Sequence, residues 1–396
     1  MILLNTPHGI YNLEYDELSH LTLREFLYIN KIPYNSVSLY IETSEGNFEN
    51  YIGLENKVDD VLKGCLSIMI RTDRNIDLGS MISKSIIIEN VHGKVNTAEY
   101  IFDDLGAETQ QIYKQFTKEE CREYVDACVK EFISETDIDF SKPLVFGISG
   151  GGDSNTLPEA FINNGFPKEN IIPVMIKGIP DLDKGLSRAR LVCERQGIEL
   201  IEIPAEKIDE LLGRNKRDGS WAVDFEEKYP NGDLEIIGTL AVRLGLTYAK
   251  DKYDAQGCVT GLNLEDILSE SFLAILKGEF PPAFPKRDFD KTSFYYPLYK
   301  IPKKILDGCH PKLSLDNYNE RFPNNMYWRT LPYYFTQSLS TNIPGIEFRL
   351  IDGFKELANK QNNFITYKKD EKIGFVVEGE IDENTRRMWK EFIEAK

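Results

Sequence analysis

Leu144-Val145-Phe146-Gly147-Ile148-Ser149-Gly150-Gly151-Gly152-Asp153-Ser154-Asn155 decides the fold. An apolar strand runs into three consecutive glycines and then into a helix. Without Cβ atoms in the way, successive backbone N–H groups there can turn inward and meet an anion at a helix N-terminus. The stretch is a phosphate cradle. It is not a Walker loop, because no Gly-Lys-Ser/Thr follows, and no strand-linked GxGxxG makes it a dinucleotide fingerprint. The Ser149 and Ser154 hydroxyls are placed to donate to phosphate oxygens. Asp153 is placed to hold the divalent cation that nucleotide phosphates bring.

Outward from the cradle, short apolar runs alternate with helical spacers. Strands are predicted at Leu144 to Ile148, Ile171 to Ile176, Ile198 to Ile203 and Gly257 to Thr260, with helices after Ser154, from Gly185 to Gln196 and about Leu234 to Leu244. Such alternation implies βαβ units, a parallel sheet with right-handed crossovers, and a binding crevice at the carboxyl ends of the strands. The polar, glycine-containing segment Gly213 to Asp233 has the profile of a mobile functional loop. Upstream, Thr117-Lys118-Glu119-Glu120 forms a capping box, and Cys121, Tyr124, Val125, Cys128, Val129 and Phe132 recur at helical spacing, which assigns both cysteines to packing.

Ser-Gly-Gly-Gly-Asp-Ser matches the SGGxDS signature of the PP-loop ATP pyrophosphatases, and the chain is identified on it as similar to that family. Thr260-Gly261-Leu262-Asn263-Leu264-Glu265-Asp266 is similar to the TGHNxDD segment of the members that thiolate or lysidinylate tRNA, with Leu262 for His and Glu265 for Asp. Tyr296-Pro297-Leu298 is a fainter echo of Arg-Pro-Leu. The resemblance covers about residues 140 to 305. It implies ATP with Mg²⁺, attack of a substrate carbonyl oxygen on the α-phosphate, departure of pyrophosphate into the cradle, and displacement of AMP by sulfur or nitrogen. By resemblance, Ser149, Gly150, Gly151, Gly152, Asp153 and Ser154 hold phosphate. The backbone around Val174 to Lys177, with Ile176 and Lys177, meets adenine, and Gly261 and Asp266 complete the nucleotide site. Lys177, Arg188 and Arg190 are candidate extra phosphate ligands or solvated surface charges.

Thiolating relatives commonly use a CxxC, which is absent. Cys258 at the end of its strand and Cys309, read as lying in a loop at Gly308-Cys309-His310-Pro311, are the candidate sulfur carriers. Cys193 lies on a core stripe, and His8, His20 and His92 have no ligand spacing. Sulfur transfer to a small-molecule or carrier-bound acyl substrate, giving a thioamide or thiocarbonyl with the help of a sulfur-donor protein, stands beside nitrogen transfer and tRNA thiolation. The charge balance weighs against nucleic acid: 47 Lys and Arg against 64 Asp and Glu leave −17 on 396 residues, which repels polyphosphate unless a basic stripe forms. Lys303-Lys304, Lys286-Arg287 and Arg214-Asn215-Lys216-Arg217 are the clusters that could build one. A turnover-free nucleotide sensor is a further alternative.

The fold expected is α/β, a parallel-sheet Rossmann-like PP-loop domain at 141–305. An N-terminal β-grasp domain occupies 1–80, a connecting segment with a helix 81–140, and a mainly helical lobe 306–396. The first segment is similar to ubiquitin-like sulfur-carrier domains through Leu21 to Leu27 and the turn at Lys63-Gly64 into Leu66 to Ile70. It lacks their terminal Gly-Gly, which leaves a docking module or a structural cap. No apolar run reaches the roughly 20 residues a membrane span needs, and no signal segment opens the chain. A cytoplasmic location with reduced thiols is expected, with a homodimer as one assembly.

Overall fold

A computed structural model of the chain describes residues 2–6, 9–13, 20–29, 38–42, 48–51, 56–62, 67–71, 96–104, 110–230 and 234–310, then 313–314, 316–317, 332–336, 338–339, 345–361, 369–370, 374–375 and 383–395. Lys63-Gly64, Cys65 and most of Tyr318 to Tyr334, on which parts of the sequence reading rest, lie outside the described residues. The chain divides into two compact units that interleave along the sequence. One comprises Met1–Cys121, Leu264–Pro281 and Pro302–Phe354; the other comprises Arg122–Asn263, Pro282–Ile301 and Lys355–Lys396. Pro302–Phe354 thus belong to the first and Lys355–Lys396 to the second. Among the described residues no helix is long and apolar enough to cross a membrane.

In the first unit, β1 (Ile2–Thr6), β2 (Gly9–Leu13), β3 (Ser38–Glu42), β4 (Phe48–Tyr51) and β5 (Ser67–Arg71) form one sheet in the order β2-β1-β5-β3-β4. The central pair β1/β5 is parallel and the others are antiparallel. Helix Leu23–Ile29 joins β2 to β3, starting where Thr22 and Glu25 cap each other: the Glu25 amide donates to Thr22 Oγ1 (3.1 Å) and the Thr22 amide to Glu25 Oε2 (2.8 Å). Leu23, Phe26 and Leu27 are its buried face. A long antiparallel hairpin of β6 (Asn96–Asp104) and β7 (Gln110–Thr117) follows. It runs into helix Lys118–Glu135 at the expected capping box, where the Thr117 amide donates to Glu120 Oε2 at 2.8 Å and the Glu120 amide to Thr117 Oγ1 at 3.2 Å.

The second unit is built on β8 (Leu144–Gly147), β9 (Ile171–Ile176), β10 (Ile201–Ile203), β11 (Cys258–Val259), β12 (Lys286–Phe289) and β13 (Thr292–Tyr295), in the order β10-β9-β8-β11-β13-β12. All neighbours are parallel except the edge hairpin β12/β13. This is the α/β architecture that the alternating pattern predicted. β8 sits between β9 and β11, and strand order reverses beside it, the position where ligands bind in open parallel sheets. Helix Gly152–Asn163 lies on β8 through an aromatic core: the Phe146 and Phe161 rings meet edge to face at 4.9 Å, and Phe161 and Phe166 at 5.7 Å. Such pairs stabilise by about 1 kcal/mol each beyond their area, so the first turn of the helix is held firmly at the carboxyl end of β8. The short strands β14 (Lys369–Asp370) and β15 (Gly374–Phe375) also belong to this unit, as does helix Glu383–Glu394.

Candidate functional site

The phosphate loop leaves β8 after Ile148, whose amide still pairs with the Val174 carbonyl of β9 at 2.9 Å. Gly150 then takes φ +73°, and a Cβ there would lie 2.1 Å from the Gly185 carbonyl oxygen. Reciprocally, a Cβ on Gly185 would lie 2.0 Å from the Ser149 carbonyl oxygen. Two glycines thus interlock, and the loop is clamped backbone to backbone. Buried Arg188 adds its Nε to the Gly150 carbonyl at 2.8 Å. The Ser149 amide donates to Ser154 Oγ (3.1 Å), which contacts Ser149 Oγ (3.2 Å) and donates to the Gly151 carbonyl (3.2 Å). The two serines therefore brace the loop as well as offering hydroxyls. Helix Gly152–Asn163 starts without a side-chain cap on Gly151, so its first amides and the positive end of its dipole remain an anion site.

Asp153 stands in the first turn of that helix and is met from β11. A Cβ on Gly261 would lie 3.2 Å from the Ser154 amide nitrogen and 3.3 Å from Asp153 Cβ, so the Thr260-Gly261 turn abuts the loop helix. Two residues later, buried Asn263 donates Nδ2 to Asp153 Oδ2 at 3.3 Å. Asn263 stands within the quoted Thr-Gly-Leu-Asn segment without having been singled out; an amide that orients an acceptor carboxylate is the chemical signal that marks it. The held carboxylate suits a Mg²⁺ carried with nucleotide phosphates, since a hard cation seeks such oxygens and few protein ligands. Among the described residues no group of three or more His, Cys, Asp or Glu side chains could hold a metal ion, so the phosphates themselves would have to share it.

Ile176 ends β9 and Lys177 follows it. The Lys177 amide donates to the Ile203 carbonyl (2.9 Å) while its ammonium pairs with Glu202 at 3.3 Å. Arg190 also reaches Glu202, through Nε at 2.8 Å. Burial opposes ionisation of Glu202, but Arg190 and Lys177 together hold its carboxyl below the usual range. Of the three candidate phosphate cations, then, two are engaged by Glu202 and the third supports the loop from behind. The turn that follows Lys177 is tight: Gly178 takes φ +98° and its amide donates to both Asp183 oxygens at 3.1 Å. Burial raises the Asp183 carboxyl above its ordinary value. A shallow cleft of about 520 Å³ lies away from the loop, lined in part by Arg190, Cys193, Glu199 and Glu202, and its acidic rim is unsuited to phosphate.

Both candidate sulfur carriers are interior. Cys258 is fully buried in β11, its Sγ donates to the Leu246 carbonyl at 3.5 Å, and burial drives its thiol far above the usual range. Cys309 is not on a loop: it closes helix Lys303–Cys309, is fully buried, and gives its Sγ to the Ile305 carbonyl at 3.3 Å. Since the thiolate is the nucleophile, neither is presented for attack. Cys309 and Asp266 belong to the first unit, where Asp266 Oδ1 accepts from the Tyr333 hydroxyl. In that unit Glu265 is buried and accepts from the Lys303 amide at 2.9 Å; desolvation pushes its carboxyl up to about 8.

Residues 213–230 are tied down: Arg214, nearly buried, pairs at 2.6 Å with both Asp209 and Asp224, the Gly219 amide donates to Asp209 at 2.7 Å, and helix Trp221–Lys228 follows. Residues 231–233 are outside the described set. The basic clusters fare similarly. Arg214 and Arg287 are buried, Lys216 pairs with Asp218 (3.1 Å) and Lys286 with Asp288 (3.4 Å).

No family model matches the sequence, and no curated protein does. Among solved structures, the chain is similar to the U34-tRNA thiolase NcsA from Methanococcus maripaludis, at 20% identity and TM-score 0.47, over 62% of this chain and 82% of that one. It is also similar to the NH3-dependent NAD synthetase from Campylobacter jejuni subsp. jejuni (14%, TM-score 0.35, 62% and 96%) and to the NMN synthetase from Francisella tularensis (12%, TM-score 0.36, 63% and 95%). All three TM-scores lie below 0.5, so the reading of the site stands on the chain's own geometry.

Proposed function

We propose that the chain is a PP-loop ATP pyrophosphatase that adenylates a substrate carbonyl, and that the nucleophile completing the reaction comes from outside the chain. The observation that carries the reading is the interlocked Gly150–Gly185 loop, which presents an uncapped helix start beside an Asp153 carboxylate oriented by Asn263. The substrate carbonyl oxygen attacks the α-phosphorus, the bond from that phosphorus to the β-bridging oxygen breaks, and pyrophosphate departs with that electron pair. Amides of the first helical turn, with Ser149 and Ser154, stabilise the charge that accumulates on the leaving group, the kind of preorganised contact that contributes most to such steps. Mg²⁺ would supply further neutralisation of the phosphates, and Asp153 is the side chain positioned to hold it.

Sulfur transfer to a small-molecule or carrier-bound acyl group remains the first product reading, with sulfur arriving on a separate donor. The sheet β2-β1-β5-β3-β4 has the strand order of a β-grasp module and is the surface we assign to docking a donor or carrier. Nitrogen transfer, giving an amide, nitrile or lysidine-type product, is the second reading, favoured by the burial of Cys258 and Cys309. The buried arginines of two basic clusters leave little for a tRNA-binding stripe. Incubating the reduced protein with α-labelled ATP, Mg²⁺ and pooled acyl or nucleobase substrates, and resolving AMP from ADP, tests the proposal. Substrate-dependent AMP that disappears in Asp153→Ala supports it; ADP alone, or binding without turnover, overturns it.

A further inference from the structure

The second unit contains an aromatic cluster assembled from distant parts of the chain. Helix Glu383–Glu394 buries Thr385, Trp389 and Phe392 on one face. The Trp389 ring meets Trp221 edge-on at 6.3 Å and Phe225 at 5.6 Å, and stacks on Phe392 at 5.6 Å, while the Arg214 guanidinium lies over Phe392 at 4.6 Å. Trp221 is fully buried, and its Nε1 lies 3.3 Å from where a Cβ on Gly178 would sit. Gly178 is the turn at the end of β9, pinned by Asp183; Gly185, a few residues on, interlocks with Gly150 of the phosphate loop. Ring contacts, one close approach, one carboxylate turn and one backbone interlock thus run without a break from Trp389 to the anion site.

Among the described residues the Trp221 indole N–H has no hydrogen-bond partner. A buried donor without an acceptor carries a free-energy cost that a different rotamer could relieve. Ring packing by Trp389, itself backed by Phe225 and Phe392, is what holds the indole against Gly178 in spite of that cost. With Trp389 cut back, the vacated volume would let Trp221 turn away and find an acceptor, and the Gly178 turn, which also packs on Ala205, would lose one of its two walls.

We propose that Trp389 is a positioning residue for the nucleotide: acting through Trp221, it fixes the Gly178 turn and so the end of β9, Ile176 and Lys177, against the phosphate loop. This deepens the ATP reading above and rests on it. The full-length protein is titrated with Mg-ATP by equilibrium dialysis, alongside thermal unfolding and the KM and kcat of AMP formation. Trp389→Ala is expected to weaken ATP binding and raise the KM by roughly fivefold or more at unchanged kcat, the pattern of lost uniform binding. Trp389→Phe should recover most of the affinity, and Phe289→Leu, at the β12 edge of the sheet, should bind ATP as wild type does while unfolding earlier. If Trp389→Ala does not fold, Phe392→Leu takes its place and should weaken binding in the same direction. Wild-type affinity in a folded Trp389→Ala or Phe392→Leu, or an equal loss in Phe289→Leu, overturns the inference alone. A wild-type protein that binds no ATP overturns the functional reading beneath it.

Discussion

Two glycine-containing polar turns of the same unit, 149–154 and 213–220, look alike as sequence and have opposite jobs. In the first, glycine backbone packs on glycine backbone, and the helix that follows begins with no side-chain cap. In the second, the donors are already used: the Gly219 amide is taken by Asp209, the Ser220 amide by Asp218 (3.1 Å), and Arg214 is locked between two carboxylates. A turn is ready for an anion when its shape is held by contacts that leave N–H groups over, and it is scaffolding when side chains consume them. Polarity and glycine content do not separate the two cases; the fate of the donors does.

The contrast breaks most readily at Arg214. Arg214→Ala strands the buried Asp209 carboxylate and should cost about 3 to 5 kcal/mol of stability, as removal of one partner of a buried ion pair does; denaturant unfolding reads it, and an unchanged midpoint would mean that 213–220 is no scaffold. Asp153→Ala should instead leave unfolding nearly unchanged and reduce AMP formation by about 10² to 10³, the scale of losing one preorganised charge-stabilising group. Glycine substitutions sharpen the comparison. Gly150→Ala meets backbone at 2.1 Å and should cost about 3 kcal/mol or more through strain and collision, whereas Gly213→Ala has the same left-handed φ (+70°) in open space and should cost only about 1 kcal/mol.

A smaller effect is expected from the first unit's Glu265, as a pH dependence. Its carboxyl is raised from the usual 4.5 to about 8, so between those values the folded protein keeps a proton that the unfolded chain has released. Stability should therefore fall as pH rises from about 4.5 to 8, and Glu265→Gln should flatten that slope. Thermal midpoints across the range would decide it, and a wild-type midpoint that rises over that interval would rule the buried acid out. Least affected should be the chemistry of Cys258→Ser with Cys309→Ser, whose turnover per folded molecule is expected to match wild type. A lost sulfur product would return those thiols to the mechanism.

How far the sequence carried each of these features follows from what kind of constraint made it. Leu144 to Asn155 was readable because only glycine tolerates the backbone approach, and Ile171 to Ile176 because an uninterrupted apolar run in βαβ context has few other uses. The Thr260-Gly261 turn was readable through its resemblance to a known segment, and its glycine lets it abut the loop helix. Cys309 was misplaced on a loop because Gly308 and Pro311 outweighed Ile305, Leu306 and Cys309, whose spacing continues a helix. Arg214, Asp209 and Asp224 gave no periodic signal of their pairing, and Arg214 read as part of a basic cluster. Trp389 and Phe392 stand three residues apart on one face of helix Glu383–Glu394, a spacing that does not name the surface covering it. Local backbone demands show in sequence; the identity of a distant partner does not.

The interleaving of the two units sets a timetable for synthesis. Translation of residues 122–263 delivers the phosphate loop, β11 and Trp221, but β12 and β13 arrive only with 282–301, and the ring that walls Trp221 only with 383–394. On a ribosome adding about 5 to 20 residues per second, the parallel sheet would wait several seconds with an open edge and an uncovered tryptophan. That interval is when a nascent chain of this kind is most exposed to aggregation, and most in need of a chaperone.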